Sequence, residues 1–249
     1  MTQVYDFLAP ILGIGSAIPL LLLVVFLLLR PARKFLVFLL YVSWELFASV
    51  GLTLADIHLH GSAQVGLATD AGRIYARLFW TNDVIEDLLR FVLVSVLIHQ
   101  VVGSSKPLLG RVLIGLVLAM ILLPFLLFHP IFPPVKSLTL VPAWYPRGAW
   151  FNSTSQLLNF GAAIMNVILW GALIQSKKRD PQILALSVGL GILVTGAAIG
   201  YGLRHFIPQG GYTAAFNLFV NLTQLAAYLI WCRAFWPAPK PAAVLPRQS

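Results

Sequence analysis

Seven runs of mostly apolar residues, each near the length of a membrane-crossing helix, leave this chain few folds to adopt. They extend approximately from Leu8 to Leu29, Phe35 to Ala55, Ile74 to Val102, Val112 to Phe128, Phe151 to Gln175, Ile183 to Leu203 and Tyr212 to Trp231. A helix needs about 20 such residues to cross the hydrocarbon core of a bilayer. Transmembrane strands would show alternating segments of roughly ten residues instead. Little charge is left between the runs: 59% of the 249 residues are hydrophobic and 10% charged, against about 25% charged in a soluble domain. So few charges cannot cover a surface in water. Apolar dominance excludes disorder, and Cys232, the single cysteine, excludes a disulfide scaffold. The expected fold is all-α, a polytopic bundle of seven transmembrane helices forming one domain over residues 1–235. The proline-rich stretch 236–249 is expected to be a disordered cytoplasmic tail. No Lys or Arg precedes Arg30 and no A-x-A site comes after the first run, which therefore reads as a membrane helix and not a cleaved leader.

Basic residues set the expected orientation. Arg30, Arg33, Lys34, Lys106, Arg111, Lys177, Lys178, Arg179, Arg233, Lys240 and Arg247 fall on one side; Arg73, Arg77, Lys136, Arg147 and Arg204 fall on the other, offset by Asp6, Asp56 and Asp70. The richer side is expected to be cytoplasmic, with the N-terminus outside, in a multi-pass protein of the inner (cytoplasmic) membrane. The net charge of +9 then reflects short loops that meet anionic lipid headgroups. Such loops are too short to read a nucleic-acid groove, so no nucleic-acid partner is expected.

Two connections, Asp56 to Arg73 and His129 to Trp150, are long and expected outside. The second is rich in proline, Trp and Tyr, which suits either an interfacial cap or a lid over a ligand site. In the sixth run, Gly196 and Gly200 form a G-x-x-x-G pair, compatible with packing inside the bundle or with a homo-oligomer.

The third run is the most informative. Asp83, Glu86, Asp87 and Arg90 succeed one another at i, i+3, i+4 and i+7, which places them on one helical face. Ionisable groups at membrane depth cost roughly 2.5–3.5 kcal/mol each, and persist when they pair or line a cavity. Glu45 lies 11 residues from Lys34, and Arg90 lies 11 from Val101. At about 1.5 Å per residue both reach the same depth, which predicts a Glu45–Arg90 ion pair with Glu86 as competing partner. The fifth run carries Asn152, Gln156, Asn159 and Asn166 on one face, and the seventh carries Asn217, Asn221, Gln224 and Tyr228. Asn221 lies 12 residues from the basic anchor Arg233, which predicts the depth of Glu45 and Arg90 for it. The second, third, fifth and seventh segments are therefore expected to share a polar interior, with the first and fourth facing lipid. The candidate ligand- or ion-binding residues are Glu45, Asp83, Glu86, Asp87, Arg90, Asn159, Asn166, Asn217, Asn221 and Gln224. Glu45, Asp83, Glu86 and Asp87 against Arg90 give −4 + 1 = −3 if all are ionised. Low dielectric disfavours that sum, so protons, a cation or a cationic ligand should offset it. A structural network fixing helix register is the alternative.

Cofactor readings are narrower. The last segment holds no lysine for a retinal Schiff base, Lys240 lying in the tail, and no two histidines face each other at mid-depth for haem. Neither cofactor is expected. His58, His60, His129 and His205, with Asp56 nearby, are weak zinc candidates for an intramembrane hydrolase, though the late H-x-x-x-H pair of ceramidase-type enzymes is missing.

Two stretches carry a family likeness: the first loop with the start of the second run (RPARKFLVFLLYVSWE), and the opening of the third run (YARLFWTNDVIEDLL), where Phe79 and Trp80 precede Asp83. In them the chain resembles uncharacterised bacterial seven-helix integral membrane proteins. The likeness covers about the first half of the chain. It implies the fold and a membrane location but no activity, so it assigns no functional residues. The residues themselves favour a non-enzymatic protein that binds or senses a small cation, a proton or a cationic ligand. A signalling role would call for a protein partner. A proton-coupled transporter or channel is the alternative, and the zinc hydrolase a more distant one.

Overall fold

A computed structural model describes residues 2–29, 33–60, 70–102, 112, 115–116, 118–119, 149–175, 180–206 and 213–236. Among them there are six α-helices, one 3-10 turn at Arg33–Phe35, and no strand. The helices are α1 (Thr2–Leu29), α2 (Leu36–His60), α3 (Asp70–Val102), α4 (Ala149–Gln175), α5 (Pro181–Phe206) and α6 (Thr213–Phe235). The fifth, sixth and seventh apolar runs thus correspond to α4, α5 and α6. The run from Val112 to Phe128 and the connection from His129 to Trp150 lie outside the described residues apart from five positions of the run and the last two of the connection, as does the tail beyond Trp236. Several helices outrun their apolar stretches: α2 continues from Ala55 to His60 and α3 starts at Asp70. A helix satisfies its own backbone and does not have to stop where the hydrocarbon does.

Among the described residues, four stretches are long and apolar enough to cross a membrane: Arg33–Ala55, Thr154–Gln175, Pro181–Gly200 and Leu218–Phe235, with a shorter one at Gly15–Leu29. The outside of the bundle agrees with this. Leu40, Phe47 and Leu54 on α2 and Ile164, Val167 and Ile174 on α4 are exposed, whereas Glu45, Asp87, Arg90 and Asn159 are buried. A soluble protein places these classes the other way round.

The helices pack in a closed ring, each against its neighbours in chain order, with α6 returning to α1 and α3 also touching α5. This corrects the expectation that the first segment only faces lipid. Leu20, Leu23 and Leu27 of α1 are buried while Leu21, Leu22, Leu28 and Leu29 are exposed, so α1 has two faces. The buried side meets α6, where the Cys232 thiol lies 3.2 Å from the Pro19 carbonyl oxygen. Gly196 and Gly200 face α6: a Cβ on either would run into Thr223 or Val220. The G-x-x-x-G pair therefore serves close packing inside the bundle.

One end of the ring is tied together. Gln100 at the end of α3 donates to the Lys34 carbonyl at 2.7 Å, and Lys34 reaches Asp180 at 2.6 Å. Asp180 caps α5: its Oδ1 accepts from the Gln182 N–H at 2.9 Å and its carbonyl from Leu184 at 3.0 Å. Pro181 comes next, at the first helical position, where a missing N–H costs nothing. Above this end sits an aromatic floor. Phe35 meets Phe235 at 5.0 Å between centroids, and Trp231 meets Phe38 at 5.0 Å and Tyr41 at 6.1 Å. The Trp231 indole donates to the Leu186 carbonyl at 3.2 Å, which satisfies its one polar atom.

Candidate functional site

The polar interior begins where the aromatic floor stops. The helical period puts Asp83, Glu86, Asp87 and Arg90 on the inward face of α3, and the Arg90 guanidinium collects its surroundings. Its Nη2 donates to Glu45 of α2 at 2.9 Å and to Glu86 at 3.1 Å, and its Nη1 donates to Asp87 at 2.7 Å. Its Nε donates to the Tyr41 hydroxyl at 3.2 Å. Tyr41 in turn donates to Glu45, one turn along α2. Arg90, Glu45 and Asp87 are 4%, 4% and 0% exposed, which makes this a desolvated cluster and not a surface ion pair.

A second layer extends it toward the start of α3. The Trp44 indole donates to Asn82 Oδ1 at 3.1 Å, and the Asn82 amide donates to Glu86. From α4, the Ser155 hydroxyl donates to Asp83 at 3.3 Å, and the Asn159 amide donates to the Ser155 carbonyl at 2.9 Å. Ser155 and Asn159 both flank the Asp87 carboxyl. Tyr228 of α6 is buried against Trp231, 5.8 Å between ring centroids, and Trp231 in turn meets Tyr41.

The structure thus brings together Glu45, Asp83, Glu86, Asp87, Arg90 and Asn159, and forms both the Glu45–Arg90 and the Glu86–Arg90 pairs. Other candidates lie elsewhere. Asn166 is buried and accepts from Ser187 of α5 at 3.4 Å. It is seven residues past Asn159, about 10 Å along α4, so it joins helices and not the cluster. Asn221 and Gln224 are half-buried, and among the described residues no hydrogen bond links them to Arg90. Counting depth from Arg233 misplaces Asn221. Phe235 stands level with Phe35, and from that level Glu45 lies 10 residues along and Asn221 lies 14. Asn221 is therefore about 6 Å farther out. The side chains of Asn217, His58, His60 and His205, and all of His129, lie outside the described residues. No group of three or more His, Cys, Asp or Glu capable of holding a metal occurs among the described residues.

No family model, curated protein or solved structure matches this chain. The chemistry of the site is therefore read from its geometry. Three carboxylates share one guanidinium, and their sum is −3 + 1 = −2 if all are ionised. An isolated buried charge is far more costly than a paired one, and two uncompensated charges in an apolar bundle are not sustained.

Proposed function

We propose that this chain is a multi-pass protein of the inner membrane, with seven transmembrane helices, an external N-terminus and a cytoplasmic C-terminus, whose polar interior binds a small cation, a proton or a cationic ligand. The observation that carries the reading is the convergence of Glu45, Glu86 and Asp87 on buried Arg90. A network that merely fixed helix register would need one carboxylate for one guanidinium; the surplus acids are what a binder of positive charge requires. The topology rests on the basic loops, and on Arg33, Lys34 and Arg233 lying at the end of the ring that the α2–α6 aromatic contacts bring together. Membership among the bacterial seven-helix proteins that the first half resembles is part of the same proposal.

Purified protein in nanodiscs should gain thermal stability as pH falls or as monovalent cation is added, and the Glu45→Gln/Glu86→Gln/Asp87→Asn variant should lose that response. Stability in the parent that ignores both variables sinks the reading. A proton-coupled transporter is favoured over a pure binder only by the layered path from Asp83 to Arg90. Proteoliposome flux with Glu45→Gln and Asp87→Asn decides it, and zero flux in the parent removes transport.

A further inference from the structure

Two oxygen atoms at the α3–α4 contact have no donor. Asp87 is fully buried; its Oδ1 takes the Arg90 bond at 2.7 Å, and its Oδ2 is unpartnered. Asn159 is equally buried, and its Oδ1 is unpartnered too. Turning the Asn159 amide over does not help. Its Nδ2 donates to the Ser155 carbonyl at 2.9 Å, and the flipped amide would set two acceptors against each other there. The Ser155 hydroxyl lies between the Asp83 carboxyl, at 3.3 Å, and that of Asp87, and its single hydrogen cannot serve both or reach Asn159 Oδ1 as well.

Resting on the proposal that the cluster takes up positive charge, we propose that Asp87 is its proton-binding carboxyl, with Oδ2–H donating to Asn159 Oδ1. One hydrogen there would serve both oxygens, Asn159 being one of the two α4 side chains that flank the Asp87 carboxyl. On uptake, an O–H bond forms on Oδ2 with a proton from the aqueous phase; on release that bond breaks, the proton returns, and Asn159 is unchanged. A metal ion fits the same place poorly. Hard cations take about six or more oxygen ligands, whereas Arg90 already stands 2.7 Å from the other oxygen of this carboxylate and repels a second cation. With Asp87 neutral, Arg90 keeps Glu45 and Glu86, and the sum falls to −2 + 1 = −1.

The charged and titratable groups around Asp87 are Asp83, Glu86 and Arg90 on α3 and Glu45 and Tyr41 on α2, with Tyr228 on α6 facing the cluster. Helix α4 carries no titratable residue. On α5 the titratable residues are Tyr201, Arg204 and His205 at its far end, and Ser187 is the polar group nearer the ring interior. Asp87 is thus the acid bonded to Arg90 that faces the uncharged helix α4 with an oxygen left unpartnered.

Infrared spectra of the full chain in nanodiscs read the carbonyl stretch of a protonated carboxyl. The parent should show a titrating band that Asp87→Asn removes and that Asp83→Asn and Glu86→Gln retain. Asn159→Leu should keep the band but move it to higher frequency, because the hydrogen bond that the Asp87 carboxyl donates is gone; a packing role alone would not shift it. That variant carries the test if Asp87→Asn does not fold, and an unmoved band overturns the proposal. A band kept in Asp87→Asn but lost in Glu45→Gln or Glu86→Gln overturns the assignment to Asp87 and leaves the cluster reading standing. Loss of the band on adding sodium chloride at constant pH shows a metal cation at the site and overturns the proton assignment. No titrating band, together with stability indifferent to pH and salt, overturns both.

Discussion

Replacing Arg90 with Met keeps the length and apolar stem of the side chain and removes the one cation in the cluster. Three charge-assisted bonds disappear, at 2.9, 3.1 and 2.7 Å, with the weaker one to Tyr41 at 3.2 Å. Taken singly, each charged bond is worth about 1.5–3 kcal/mol. They share one donor group and therefore do not add. The better guide is the loss of one partner from a buried ion pair, about 3–5 kcal/mol, since both Arg90 and Glu45 are 4% exposed. Equilibrium unfolding in mixed micelles should register a loss in that range for Arg90→Met at neutral pH. Adding Glu45→Gln, Glu86→Gln and Asp87→Asn to the same chain should restore much of it, because the carboxylates left without a partner are what make the single change costly. Arg90→Lys should recover only part, an ammonium having no planar fork to serve three carboxylates. A loss below about 1 kcal/mol for Arg90→Met, the figure for a solvated surface pair, would refute the reasoning that the cluster is desolvated.

Helix contacts and the tied end give further expected outcomes. Gly196→Ala should destabilise by about 1–3 kcal/mol, because its Cβ meets the stiff, β-branched Thr223 at three atoms. Gly171→Ala, with nothing within 4 Å of its Cβ, should be neutral or stabilise by up to about 1 kcal/mol; thermal unfolding of both variants checks the contrast. At Asp180, partial burial pushes the carboxyl up, but the Lys34 ammonium and the Gln182 and Ile183 N–H groups outweigh it and hold the group below the usual carboxylate range. Its contribution is fully present above the unfolded value, about 3.9, and is lost as pH falls through the lower folded value. Lys34→Ala should therefore cost about 0.2–1 kcal/mol at neutral pH, and the cost should fade in acid. A cost that is unchanged in acid would count against the Lys34–Asp180 pair.

Much of the site was legible because two simple periodicities fix it. The 3.6-residue repeat places Asp83, Glu86, Asp87 and Arg90 on one face, and the rise per residue sets Glu45 and Arg90 at one depth. The same arithmetic misled at Asn221, where the basic anchor Arg233 is not level with Lys34; the aromatic stack between Phe35 and Phe235 sets that level, and it is a tertiary contact. Tyr41 was missed although it sits four residues before Glu45, and Asn82 although it sits four before Glu86, the spacing at which side chains on a helix meet. Ser155 stands in the polar run from Asn152 to Gln156 and four residues before Asn159, so its face was legible, but its partner Asp83 is 72 positions away and only the α3–α4 contact reveals it. The two-faced character of α1 was hidden because a leucine-rich helix reads alike whether leucine or lipid lies opposite.

An interior that holds exchangeable positive charge reveals itself when bound protons are counted. A weakly buffered suspension of the folded protein is titrated from alkaline to neutral pH, with and without monovalent cation, beside the Glu45→Gln/Glu86→Gln/Asp87→Asn variant. Ordinary carboxyls do not titrate in that interval. The parent is predicted to bind more protons than the variant, or to bind cation in their place. Equal uptake by the two proteins, unaffected by cation, would contradict the account.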